Sequence, residues 1–176
     1  MLAGTGLQQS EGRILSLEDF GAVAEDVLSN CTNTDAFNDA IASAAPGDTI
    51  LVPGGKTFYF TGGMAGENLR NVSFVIEGNM VAVQDSALWP QNDDGAFVDF
   101  IALTSCKDLH IAGPGYIDGQ GKWWWNQCLI GKIRCEFLPF LAFCPDRIRP
   151  LFVPSHDYVR LRSRIPNFPS AGALAH

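Results

Sequence analysis

The stretch Asn68-Leu69-Arg70-Asn71-Val72-Ser73-Phe74 returns 37 residues later as Ser105-Cys106-Lys107-Asp108-Leu109-His110-Ile111. A third copy, Ser155-His156-Asp157-Tyr158-Val159-Arg160-Leu161, follows at an offset of 50 from the second. Each reads as a polar turn, then Asn, Asp or Tyr, then apolar-polar-apolar. Gly78 and Gly115, downstream of the first two copies, coincide at the same offset of 37. A unit repeated in this way cannot bury its inward side chains alone, so neighbouring units must stack into a continuous core. The alternation predicts Val72, Phe74, Leu109 and Ile111 inward, with Ser73 and His110 outward. Unequal offsets imply loops of different length between units.

Working outward, short strands punctuated by turns fill the chain after Pro46. They are Thr49–Val52, Thr57–Phe60, Val72–Ile76, Met80–Val83, Phe97–Ile101, Leu109–Ile111 and Tyr116–Ile117. Strands this short do not make an immunoglobulin-type sandwich, but they suit a solenoid. Before them lies one helical pattern, Thr34 to Ala45. There Ala36, Phe37, Ala40, Ile41 and Ala44 share a face, Thr32, Asn33 and Thr34 offer N-caps, and Pro46-Gly47 ends it. Residues 1–16 read as a polar leader.

With 176 residues the chain is one domain, and 47% apolar against 18% charged side chains excludes disorder. No apolar run approaches the roughly 20 residues of a membrane span. Residues 1–106 hold 3 basic and 14 acidic side chains, and residues 107–176 hold 9 and 5. The net charge of −7 argues against a nucleic-acid partner. The basic second half offers a surface to an acidic ligand such as a uronic-acid polymer, although scattered solvated side chains are the simpler account. The five cysteines include no C-x-x-C pair and the three histidines are far apart, so no metal site is expected. Cys128, Cys135 and Cys144 are disulfide candidates for a tied loop in an oxidising compartment. Asn30-Cys31-Thr32 and Asn71-Val72-Ser73 make Asn30 and Asn71 glycosylation candidates.

Asp19-Phe20-Gly21-Ala22, Asn33–Phe37 leading into the helix, Ala45–Pro53 and Gly55–Phe58 together resemble the start of the polygalacturonases, glycoside hydrolase family 28. The related pectate-lyase-like proteins share this opening. Ile111-Ala112-Gly113-Pro114-Gly115-Tyr116-Ile117-Asp118-Gly119-Gln120-Gly121, followed by Trp123-Trp124-Trp125, is similar to that family's G-x-G-x-I-D-G-x-G coil and its Trp. Arg149-Pro150 before an apolar strand also matches. The resemblance spans about residues 17–165 and leaves 166–176 as an unmatched tail. It implies an all-β fold: a truncated right-handed parallel β-helix whose open N-terminal end is capped by one α-helix. It also implies a secreted, monomeric, cofactor-free hydrolase of pectic polysaccharide that inverts at the cleaved sugar. Met1–Gly6 shows neither the basic nor the apolar region of a signal peptide, so secretion rests on the resemblance.

The family's Asn-Thr-Asp, Asp-Asp, His-Gly and Arg-x-Lys motifs lie on coils after the Arg-Pro strand. Here that strand is Leu151–Val153, and only 23 residues follow it. No catalytic residue is therefore assigned, and the chain is expected to be inactive. Asp93-Asp94 precedes the Ile117-Asp118-Gly119 coil and sits among turn formers, and Asn33-Thr34-Asp35 reads as a helix cap. Trp123 and Trp124 are candidates to stack on sugar rings, with packing against the flank of the coils as the competing reading. His156 and Arg160 are candidate contacts to an acidic sugar, though Ser155-His156-Asp157 also makes an ordinary turn. The alternative function is a non-catalytic carbohydrate-binding or cell-surface module. A calcium-dependent lyase finds no acidic ligand cluster.

Overall fold

The computed structural model describes residues 12–134 and the backbone of Leu141–Phe143. Among the described residues there are ten strands: β1 Ile14–Ser16, β2 Thr49–Val52, β3 Thr57–Phe60, β4 Met64–Glu67, β5 Ser73–Ile76, β6 Asn79–Ala82, β7 Ile101–Thr104, β8 His110–Ala112, β9 Tyr116–Asp118 and β10 Leu141–Phe143. Two α-helices, α1 Asn30–Ser43 and α2 Gly121–Leu129, accompany them. The strands form three sheets, β1-β2-β5-β8, β3-β6-β9 and β4-β7-β10. Every pairing is parallel. From β2 onward the chain visits the three sheets in fixed rotation, so each of these strands lies beside the one three strands later. The strand at Leu151–Val153, the repeat at Ser155–Leu161 and the tail from residue 166 fall outside the described residues.

The repeat of 37 is one turn of this rotation. Ser73 stands beside His110 and Phe74 beside Ile111. The same separation relates Asn79 to Tyr116 and Met64 to Ile101. The polar turn of each copy explains its residue types. Asn68 and Asn71, and their counterparts Ser105 and Asp108, all have φ between 51° and 55°. Left-handed backbone is costly for most side chains but tolerable for short polar ones. Leu69, Val72, Phe74, Cys106 and Leu109 turn inward and are buried, while Ile111 is partly buried and packs on the same core.

Helix α1 closes the end of the stack, with the Phe37 ring 6.2 Å from Phe60 and 6.1 Å from Phe74. It begins earlier than its sequence suggested, at Asn30, so Asn33 and Thr34 lie within it and are buried. They do not cap the helix; they satisfy the open strand edges beneath it. Asn33 Nδ2 donates to the Tyr59 carbonyl at 2.9 Å, and Thr34 Oγ1 accepts the Thr61 N–H at 3.1 Å. Asn38 continues the row, donating to the Gly63 carbonyl at 3.1 Å and accepting the Ala65 N–H at 3.0 Å. Side-chain amides and hydroxyls thus stand in for a missing neighbour strand.

Several elements depart from expectation. Strand pairing starts at Ile14, inside the stretch read as a leader, because β1 adds to β2. Strand β4 gives no β-forming signal in Met64-Ala65-Gly66-Glu67. Its Gly66 sits in a tight space, where a Cβ would lie 2.9 Å from the Leu69 side chain and 3.0 Å from that of Leu103, and both would have to shift. The strand expected at Phe97–Ile101 begins only at Ile101, because Phe97 and Val98 fold back onto Gln91 and Pro90. Finally, α2 makes two helices where one was expected.

An ion pair fastens β1 to the rest. Asp48, only 3% exposed, accepts the Arg13 N–H at 2.8 Å, Arg13 Nε at 3.1 Å and Nη2 at 2.6 Å, and the Ala45 N–H at 2.9 Å. Arg13 Nη2 also reaches the Ser43 carbonyl at 2.7 Å, tying in the end of α1. These bonds, led by those from the Arg13 side chain, hold the Asp48 carboxyl at about 2 instead of 3.8. A carboxyl depressed on folding stabilises the fold fully above its unfolded pKa and loses that effect as pH falls through the folded one. Stability should therefore decline between about pH 4 and pH 2, and Asp48→Asn should flatten that part of the profile. Chemical denaturation across the pH series checks both. At neutral pH, Asp48→Ala should cost about 3 kcal/mol, chiefly from N–H groups left without an acceptor.

Candidate functional site

The three tryptophans sit on α2, and helical geometry turns successive residues by about 100° each. They therefore face three directions. Trp124 is buried at 2% exposure, edge-on to Trp89 at 4.7 Å, Phe97 at 5.1 Å and Trp123 at 5.0 Å. Trp89 in turn lies 5.8 Å from Phe100, donates its indole N–H to the Val98 carbonyl at 2.9 Å and covers Gly62, where a Cβ would strike its ring. This corrects the reading of Trp124 as a sugar-stacking residue, because its ring faces are occupied by other aromatics. Trp123 is half-buried beside it and keeps part of its surface open.

Cys128, on the same helix, is buried and disulfide-bonded, while Cys31 is a free thiol. Cys135, Cys144, His156 and Arg160 lie outside the described residues. Asn30 is corrected as a glycosylation candidate. It is 4% exposed and its amide donates to the Val27 carbonyl at 2.6 Å, so the nitrogen is neither accessible nor free. Asn71 is exposed in its left-handed turn. Among the described residues no group of three or more His, Cys, Asp or Glu is placed to hold a metal ion.

The outer face of the second sheet carries a polar row that reading the strands one by one missed. Tyr116 and Asp118 flank the buried Ile117, so both point outward from β9. Asp118 accepts the Gln120 N–H at 2.8 Å and Gln120 Nε2 at 3.0 Å, and Gln120 Oε1 accepts Gln84 Nε2 at 2.6 Å. Asn79 stands beside Tyr116 on the neighbouring strand. The signal was present in the sequence. Alternation in Tyr116-Ile117-Asp118 places two side chains outward, and the offset of 37 brings Asn79 alongside.

No family model matches the chain. It is 33% identical over 144 residues to a polygalacturonase of Cryptomeria japonica, across 78% of this chain and 24% of that one. It is 32% identical over 143 residues to a polygalacturonase of Chamaecyparis obtusa, with the same coverage. The chain is polygalacturonase-like, in the manner of glycoside hydrolase family 28. It spans about a quarter of the length of the curated relatives it matches. A solved structure from Parabacteroides merdae, assigned to the glycosyl hydrolases, superposes with a TM-score of 0.50 at 20% identity, covering 74% of this chain and 58% of that one. That likeness is one of fold.

In a polygalacturonase-like chain the carboxylates are the first groups to place. Asp93 and Asp94 are exposed at the tip of a hairpin, where the Gly95 N–H bonds the Asn92 carbonyl and Asp94 accepts the Ala96 N–H at 3.0 Å. Asp94 thus shapes its own turn, as Asp does by bonding backbone two residues on. Asp118 does the same with Gln120. Asn33 and Thr34 are spent on strand edges. Asp94, Asp118, Asn33 and Thr34 thus each have a structural task in the positions described.

Proposed function

We propose that this chain forms the N-terminal cap and first coils of a right-handed parallel β-helix belonging to an inverting hydrolase of pectic polysaccharide. The carrying observation is its 32–33% identity to two polygalacturonases over 78% of its length. The rotation of strands through three parallel sheets supports the β-helix. In this reading the described coils are scaffold and flank. Inverting hydrolysis needs one carboxylic acid to protonate the leaving oxygen and a carboxylate opposite to activate water. Asp94 and Asp118 are committed to their own turns and Asp93 stands on an exposed loop, so we place the catalytic pair on coils beyond them. No cofactor enters such a mechanism. The disulfide at Cys128 supports an oxidising, extracellular setting, and we take the chain to act as a monomer. Among the described residues no helix is long and apolar enough to cross a membrane.

The purified 176-residue chain should release no reducing ends from polygalacturonate above a boiled control. Sustained release would overturn the scaffold reading. Saturable binding of pectin without release would favour the alternative, a carbohydrate-binding module.

A further inference from the structure

We infer that Asn71 is an N-glycosylation site, carrying its glycan at the corner where the chain passes from the third sheet to the first. Asn71 lies in the turn between β4 and β5, and Ser73, the first residue of β5, supplies the hydroxyl of the Asn-Val-Ser pattern. The turn makes Asn71 a rigid post. Its N–H donates to the Lys107 carbonyl at 2.9 Å, and its carbonyl accepts the Gly47 N–H at 2.6 Å. The backbone is thus pinned to the coils on both sides, while the residue is exposed. Among the described residues neither the Asn71 carboxamide nor the Ser73 hydroxyl has a hydrogen-bond partner. A bulky polar group added to that nitrogen breaks no bond of the fold and stands in water. The sequon at Asn30 is the internal contrast, because its Nδ2 is engaged with the Val27 carbonyl in a residue only 4% exposed.

A second observation points the same way. Cys128 is disulfide-bonded, and in eukaryotic secretion the oxidising lumen that forms disulfides also holds the glycan-transferring enzyme. The inference rests on the extracellular setting proposed above and not on the hydrolase reading. In the transfer, Asn71 Nδ2 bonds to the anomeric carbon of an oligosaccharide carried on a lipid pyrophosphate. The bond from that carbon to the phosphate oxygen breaks, the lipid pyrophosphate leaves, and Nδ2 gives up one proton. Nothing is oxidised or reduced. Transfer takes place on extended chain, so the fold acts afterwards as a filter. A chain with sugar on Asn30 cannot bury that nitrogen against Val27 as α1 requires, whereas a chain with sugar on Asn71 can fold. Folded, secreted protein should therefore carry its glycan at Asn71 and none at Asn30.

The test sends the full chain, behind a cleavable signal sequence, through the secretory pathway of cultured eukaryotic cells. Mass spectrometry of the protease-resistant fraction, before and after peptide N-glycosidase treatment, should show a single glycan and convert Asn71, not Asn30, to aspartate. Three variants isolate the site. Asn71→Asp deletes the acceptor nitrogen but keeps a residue suited to left-handed backbone, as Asp108 shows at φ 54° one coil on. Ser73→Ala deletes only the hydroxyl. Both should lose the glycan completely and still fold by far-UV circular dichroism. Ser73→Thr should keep it, since Thr49 holds the neighbouring position on β2. Occupancy is also read in the total cellular pool, so poor secretion does not hide the result. An unmodified Asn71, a glycan that survives Ser73→Ala, or folded protein glycosylated at Asn30 would each overturn the inference. The signal sequence imposes the route, so these results bear on the site alone. The native setting is tested by where the endogenous protein accumulates, and the hydrolase reading by reducing ends.

Discussion

Gly115→Ala should cost about 4 kcal/mol or more and reduce or abolish the yield of folded protein. Gly115 sits at the corner between the first and second sheets, where its N–H bonds the Ile76 carbonyl at 2.8 Å. A Cβ added there would fall inside the van der Waals shell of the Gly78 carbonyl oxygen and 2.8 Å from that of Ile76. Gly78 is in the same position one coil earlier, where a Cβ would strike the Pro53 carbonyl and lie 2.8 Å from that of Lys56. The obstacles are backbone atoms, so no rotamer change relieves them. The coil itself would have to move, and with it the pairing of β5 with β8 and β6 with β9. Gly119→Ala is the control, because nothing lies within 4 Å of its Cβ position. It should change stability by less than about 0.5 kcal/mol. Thermal and urea unfolding of the two variants side by side make the comparison. Equal stabilities would show that adjacent coils are not stacked at the spacing described.

The same corner shows why much of the fold was legible in the sequence. Stacking is periodic, and it imposes identical demands at Gly78 and Gly115, at Asn68 and Ser105, and at Asn71 and Asp108. Left-handed backbone and missing Cβ space each restrict residue choice, so the restriction recurs as a visible repeat. Strand β4 was illegible for the opposite reason. Its Gly66 is crowded by Leu69, Leu103 and Ile41, Ala65 is small and exposed, and small residues carry no strand signal. The residue run Phe97-Val98 misled because β-forming residues served a hairpin and an aromatic cluster instead of the stack.

The candidate site was less legible. Three adjacent tryptophans suggest a sugar platform, but adjacency in sequence says nothing of which ring is covered. Only the helix Gly121–Leu129 separates buried Trp124 from half-open Trp123. The sequon at Asn30 fails likewise, because a three-residue pattern carries no information on burial. Conversely Tyr116 was read as part of a strand, and its neighbour Asn79 comes to it only through the parallel pairing of β6 with β9.

Asn33→Ala should destabilise the protein by about 3 kcal/mol, more than any other single side-chain amide change in α1. Asn33 is fully buried and makes three bonds. It accepts the Val23 N–H at 2.7 Å and donates to the carbonyls of Val23 at 3.0 Å and Tyr59 at 2.9 Å. Each is worth about 1 kcal/mol net, and alanine takes the partner from all three part-buried backbone groups. Asn33→Asp should be no better. A carboxylate cannot donate to either carbonyl, and burying its charge adds a desolvation cost. The neighbouring Asn38→Ala provides the contrast, since it works at the half-exposed end of the same edge and water can replace it. A loss below about 1 kcal/mol is expected there. Hydrogen exchange should sharpen the result, with amides of β3 and its exit through Thr61 losing protection in Asn33→Ala before those of β5 or β8. If the two alanine variants prove equally mild, α1 covers the end of the stack by apolar contact alone, and the strand-mimicking amides are incidental.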